Sequence, residues 1–214
     1  MEGIWLISYI VLWALVVALA VLVLLLYRQL GIMYLGSAEG VSRDGLERGK
    51  PAPDFTLTDQ HGNTHRLTTY RGRPVVLLFG SPHCSPCRIL LPQLQDWARK
   101  HPEVTVLWLN AASAEESARF VAETGATIPI LPFSPDDNLM DRYRVRVTPF
   151  TFFLDAQGVI RAKGLVNTKG GLDLYYRELL TGKPVEPEEA QQLLEQEEIG
   201  RQQEHEEAVA RTGS

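Results

Sequence analysis

The chain holds two cysteines, and both stand in a single Cys84-Ser85-Pro86-Cys87. Thiols at this spacing can close a four-residue ring. The chemistry open to such a ring is exchange: a thiolate attacks a disulfide, a mixed disulfide forms, and a second thiol resolves it. Reactivity depends on how readily the attacking sulfur ionises. Upstream, Val75-Val76-Leu77-Leu78-Phe79 is apolar, short for a helix, and rich enough in β-branched and aromatic residues for a buried strand. Downstream, Leu90, Leu94, Trp97 and Ala98 recur at i, i+4, i+7 and i+8, one face of a helix. Strand, sharp turn and helix put Cys84 at or near a helix N-terminus. The first N–H groups there lack partners and the dipole is positive, and both favour a thiolate. Cys84 is then the attacking sulfur and Cys87, one turn further in, the resolving one.

Two other uses of the pair stay open on spacing alone. A structural disulfide is one, although a four-residue ring removes little chain entropy. Half of a zinc site is the other, and it needs about four ligands. The remaining candidates, His61, His65, His83, His101 and scattered carboxylates, form no second clustered pair. The reading carried forward is redox exchange without a metal or cofactor.

The elements that position the pair begin near the N-terminus. Ile4 to Leu26 is apolar apart from Ser8 and Tyr9 and carries no charge. About 23 residues at helical rise span a bilayer core. Trp5, Tyr9 and Trp13 lie towards one end and Tyr27-Arg28 at the other, as interfacial anchors. A cleaved signal peptide is disfavoured by the missing n-region charge and the length of the run. Residues 1–28 are expected to be one transmembrane anchor, 29–48 a linker, 49–181 the folded domain and 182–214 an acidic tail. From Thr181 on, nine glutamates face Lys183, Arg201 and Arg211, a net of −6; with −5 for the whole chain, the rest is about +1. A near-neutral body gives no electrostatic case for nucleic acid. The tail reads as a solvated helix or a disordered segment.

The domain opens with Pro51 to Thr58, and Thr64 to Leu67 pairs back on it as a hairpin around Asp59-Gln60-His61-Gly62-Asn63. Glu103 to Asn110 reads as a strand after the cysteine helix, which makes a βαβ crossover. Ser113-Ala114-Glu115-Glu116 matches a capping box, and Gly125 a helix stop. Ile128 to Phe133 reads as an edge strand, Asp136 to Tyr143 as a short helix, Thr151 to Gly164 as a hairpin and Gly170 to Leu180 as a last helix.

This order of parts resembles the thioredoxin superfamily: an α/β fold with a central mixed sheet flanked by helices. The N-terminal hairpin and the inserted segment Ala111 to Phe133 are similar to the membrane-anchored TlpA-like branch. So are Ala52-Pro53-Asp54-Phe55, Tyr70-Arg71-Gly72-Arg73-Pro74-Val75-Val76 and Tyr143-Arg144-Val145-Arg146-Val147-Thr148-Pro149. Tyr27-Arg28-Gln29-Leu30-Gly31-Ile32 is similar to the stretch after the anchor in MauD-like proteins, maturation factors for methylamine dehydrogenase. The resemblance implies that Pro149 is cis and faces the cysteines, that Thr148 offers backbone groups to a substrate strand, and that Pro92 lies within the cysteine helix.

It also implies a thiol–disulfide oxidoreductase with a protein disulfide client and a membrane or periplasmic thiol donor or acceptor. The N-terminal helix would sit in the inner membrane with the domain in the periplasm. Arg28, Arg43, Arg48 and Lys50 argue for the opposite orientation; the family outweighs so short a count. A reductant for apocytochrome c is the alternative client reading. A peroxidase of the alkyl hydroperoxide reductase type would need a Thr-x-x-Cys pocket with a nearby Arg, and the Thr is missing.

Two departures matter. His83 stands where relatives commonly carry Trp, and a cation there would favour the Cys84 thiolate and could contact substrate. Leu78 stands where thioredoxins bury an acid under the resolving cysteine, so another group must handle the Cys87 proton. Glu115, Glu116 and water are the candidates.

Overall fold

The computed structural model describes Trp5, residues 9–23 and residues 44–185. They belong to two compact units, Met1–Arg43 and Asp44–Ser214. In the first, residues 9–23 are helical (α1), and apolar side chains such as Trp13, Leu15, Leu19 and Leu22 are exposed. Among the described residues, no helix is long and apolar enough to cross a membrane. The rest of the expected anchor, linker residues 29–43 and tail residues 186–214 lie outside the described residues.

The second unit is built on a five-stranded sheet of order β5-β4-β3-β6-β7. Its strands are β3 (Val75–Gly80), β4 (Thr105–Ala111), β5 (Ile130–Phe133), β6 (Phe150–Leu154) and β7 (Ile160–Leu165). β3, β4 and β5 run parallel, β6 pairs antiparallel to β3, and β7 pairs antiparallel to β6. Ile130–Phe133 lies at one edge, where Pro132, lacking an N–H, is tolerated. The hairpin of β1 (Thr56–Thr58) and β2 (Thr64–Arg66) forms a separate two-stranded sheet.

β3 is buried at all six positions, because both faces of the sheet are covered. Alternation then sorts its side chains. Val76 and Leu78 enter one core with Leu90, Leu94, Trp97 and Phe120. Val75, Leu77 and Phe79 enter the other with Tyr143, Phe150 and Phe152. Each such side chain contributes about 1.5–3 kcal/mol by leaving water. The first core is roofed by the helices α2 (Ser85–Lys100) and α5 (Lys169–Thr181), with α3 (Ala114–Thr124) beside them. Gly80 ends β3 because nothing larger fits: a Cβ there would lie 2.5 Å from the Trp108 indole.

The structure departs from sequence expectation at two places in this unit. Asp136 to Tyr143 is not one helix. A 3-10 turn, Pro135–Asp137, and a four-residue helix α4, Leu139–Arg142, meet at Asn138. Asn138 has φ of 51°, in the left-handed region, which breaks the helical ladder and which Asn tolerates better than most residues. The other departure is at residues 44–48, expected within the linker but packed on the domain. The Gly45 N–H donates to the Arg144 carbonyl at 2.8 Å, and a Cβ on Gly45 would lie 2.7 Å from the Phe150 ring. Arg48 pairs with the buried Glu178 at 2.8 Å.

Candidate active site

The parallel strands deliver their C-terminal ends, Gly80, Ala111 and Phe133, to one end of the sheet. The antiparallel register sets Phe79 opposite Phe150, so Thr148-Pro149 enters β6 at that same end. Ser81-Pro82-His83 leaves β3 there, and Cys84 is the N-cap of α2, with Pro86 in its first turn. The N-cap side chain normally supplies an oxygen acceptor. Here it is sulfur: Cys84 Sγ accepts from the Cys87 backbone N–H at 3.3 Å.

Cys84 and Cys87 form a disulfide. Cys84 is partly exposed and Cys87 is fully buried. This division fits an attacking sulfur that a client can reach and a resolving sulfur that it cannot. α2 runs on through Pro92 to Lys100. The Thr148–Pro149 peptide bond is cis, as the resemblance implied; Thr148 is half-buried and Pro149 buried.

His83 is exposed, and its Nε2 lies 3.5 Å from Glu116 Oε1. Glu116 also closes the capping box of α3. It accepts from the Ser113 N–H at 3.0 Å and from the Ser113 hydroxyl at 2.8 Å. The hydrogen bonds from Ser113, and then the one from His83, hold the Glu116 carboxyl below its ordinary range. The cap was legible in sequence; the second partner, 33 positions away, was not. Glu115 is exposed and faces Arg119 at 3.9 Å. Neither glutamate is buried in the core that holds Cys87.

A cleft of about 540 Å³ opens beside His83, between the start of α3 and the segment Ser134 to Asp141. Ala112, Phe133, Leu139 and Met140 form its apolar side, and Glu116 and Asp141 its acidic one. Behind the site, buried Asn110 links two elements. It accepts from Trp108 Nε1 at 3.2 Å and donates to Ser117 Oγ at 2.8 Å. Sequence reasoning passed over Asn110, although a polar residue closing an apolar strand was the available signal. No group of three or more His, Cys, Asp or Glu is placed to hold a metal among the described residues.

A partly exposed cysteine as N-cap, disulfide-bonded to a buried one and flanked by a cis X-Pro bond, describes a thioredoxin-type centre. The model of the AhpC/TSA family matches residues 48–163, from ahead of the β1–β2 hairpin into β7. The chain belongs to the AhpC/TSA family. Within this thioredoxin-like family it is similar to the methylamine utilization protein MauD of Paracoccus versutus, 30% identical over 171 residues, which cover 78% of this chain and 84% of that protein. It is also similar to the thiol-disulfide oxidoreductase ResA of Geobacillus kaustophilus, 34% identical over 116 residues, 53% of this chain and 66% of ResA. The fold matches that of the thioredoxin domain of a thiol-disulfide oxidoreductase from Bacteroides vulgatus. The TM-score is 0.55 at 24% identity, over 60% of this chain and 96% of that one. The chain is a MauD-like thiol–disulfide oxidoreductase of the thioredoxin superfamily.

Proposed function

We propose that this oxidoreductase is membrane-tethered and acts on disulfides of extracytoplasmic client proteins, with maturation of methylamine dehydrogenase as its setting. The apolar run Ile4 to Leu26 supports the tether. The periplasmic side is supported by chemistry, because client disulfides persist outside the cytoplasm. Similarity to MauD over most of both chains supports the setting.

The observation that carries the reading is the Cys84 N-cap. Cys84 Sγ as a thiolate attacks one sulfur of the client disulfide and the other leaves as a thiolate. Cys87 then attacks Cys84 Sγ, releasing the client in reduced form and leaving the ring oxidised. Run backwards, the same steps oxidise a client dithiol, and the reduction potential sets the direction. Thr148 supplies backbone groups to the client strand beside Pro149. His83 contacts the client at the mouth of the cleft.

Trapping tests this. In cells carrying Cys87→Ala, the mixed disulfide on Cys84 should accumulate and be recovered with its client, and Cys84→Ala should recover none. Equal recovery from both variants would refute the reading. A captured apocytochrome c would replace the methylamine dehydrogenase setting. The Thr that a peroxidase pocket needs is replaced by Ser81, and Arg88 donates to the Pro82 carbonyl and to Glu123, so the peroxidase reading gains little.

A further inference from the structure

Among the described residues, Thr151 Oγ1 is the buried side-chain polar atom without a hydrogen-bond partner. Thr151 is fully buried. It sits on β6 opposite Leu78 of β3 and Gly164 of β7. Alternation sends Phe150 and Phe152 into one core and Thr151 and Phe153 towards the other. That second core contains Leu78, Phe153 and Cys87. The orphan hydroxyl and the resolving sulfur therefore share one apolar layer with Leu78, which stands where thioredoxins bury an acid. On the other side, Gly164 offers no side chain, and Tyr175 Oη covers it without bonding Thr151.

A buried hydroxyl left unpaired is costly, and one in an otherwise satisfied core calls for a cause. The redox state supplies it. A disulfide sulfur is a poor acceptor, whereas a thiolate is a strong one. The structure is the disulfide form, in which the hydroxyl meets no acceptor, sulfur included; reduction frees Cys87 Sγ from Cys84 to turn about its Cα–Cβ bond.

We propose that Thr151 is a positioning residue for Cys87, its hydroxyl donating a hydrogen bond to the Cys87 sulfur once that sulfur is reduced. The inference rests on the thiol–disulfide reading above. During resolution Cys87 gives its proton to water, and the resulting thiolate is held by the Thr151 O–H. The thiolate attacks Cys84 Sγ, the Cys84–client bond breaks, and the client sulfur leaves with the electron pair and takes a proton from water. Thr151 keeps its proton throughout. The bond exists in the reduced state and not in the oxidised one, so it makes the couple more oxidising than an apolar residue would.

The test compares full-length wild type, Thr151→Val and Thr151→Ser. One readout is the equilibrium with glutathione. The other is the pH dependence of release of 5-thio-2-nitrobenzoate from a mixed disulfide preformed on Cys84. Thr151→Val should be about tenfold harder to reduce at equilibrium, equivalent to about 30 mV for this two-electron couple. Its release profile should move to higher pH. Thr151→Ser, which keeps the hydroxyl, should stay within about twofold of wild type. The proposal is overturned if Thr151→Val matches wild type in potential and pH profile, if Thr151→Ser departs as far as Thr151→Val, or if only thermal stability changes. Wild type that releases no 5-thio-2-nitrobenzoate would instead overturn the oxidoreductase reading.

Discussion

The backbone N–H of Cys87 points at Cys84 Sγ, 3.3 Å away. The contact ties the reactivity of the first cysteine to the winding of the helix that carries the second. On reduction, a thiolate at the N-cap satisfies an otherwise orphan donor and meets the positive end of α2. Reduced Cys84 should therefore be alkylated by iodoacetamide with a midpoint clearly below the free-thiol value of about 8.5. Cys87, fully buried, should react only after unfolding. A Cys84 midpoint at or above that of free cysteine would refute the argument.

His83 faces Glu116 across 3.5 Å, so an imidazolium there completes an ion pair one residue before the reactive sulfur. The pair is exposed, and its influence should be small and salt-sensitive. His83→Ala should slow Cys84 alkylation near neutral pH by about threefold at low ionic strength. The difference should shrink in high salt. Glu116→Gln keeps a side chain suited to the capping box but loses the anion, so it should slow the reaction without unfolding α3. Identical rates for all three proteins would remove His83 from the site.

The elements that set this geometry were legible where the pattern was local. Val75–Gly80 and the Leu90, Leu94, Trp97 face needed only periodicity, and Ser113 with Glu116 needed only the capping spacing. What was illegible depends on partners distant in sequence. Nothing near Gly45 announces that it packs on Phe150, and nothing near Thr151 announces that its hydroxyl goes unpaired in a strand of aromatics. The break at Asn138 was hidden for another reason: Asp136 to Tyr143 is compatible with a helix until one residue takes positive φ.

The turn of the N-terminal hairpin is held by Asp59. Its carboxylate accepts from the His61 and Asn63 N–H groups at 2.8 Å each, from the Asn63 amide at 3.1 Å and from His65 Nε2 at 2.9 Å. Burial pushes its pKa up, but these bonds outweigh burial and hold the carboxyl well below the ordinary range. A depressed folded pKa means that the stabilisation is fully present above the unfolded value of 3.8 and is lost as pH falls through the folded one. Urea unfolding followed from pH 7 to pH 2 should show stability falling below about pH 4 in wild type. Asp59→Asn should be less stable at pH 7 by about 2 kcal/mol, with a flatter acid limb. Parallel acid limbs would show that Asp59 does not drive the loss.

Arg48 and Glu178 decide whether the segment before the expected domain boundary is structural. The Glu178 side chain is only 7% exposed, while Arg48 is 41% exposed. Glu178 also accepts from the Val185 N–H at 3.1 Å, so one carboxylate ties both ends of the domain to α5. Removing Arg48 leaves a buried carboxylate short of its counter-charge, which costs more than losing an exposed pair. Partial exposure of Arg48 discounts the full buried-pair penalty, so Arg48→Ala should destabilise the domain by about 2 kcal/mol. Glu178→Gln removes the buried charge, so the double variant should recover part of that loss rather than add to it. Strictly additive losses would mean that the two side chains do not couple, and that residues 44–48 contribute by packing of Gly45 alone.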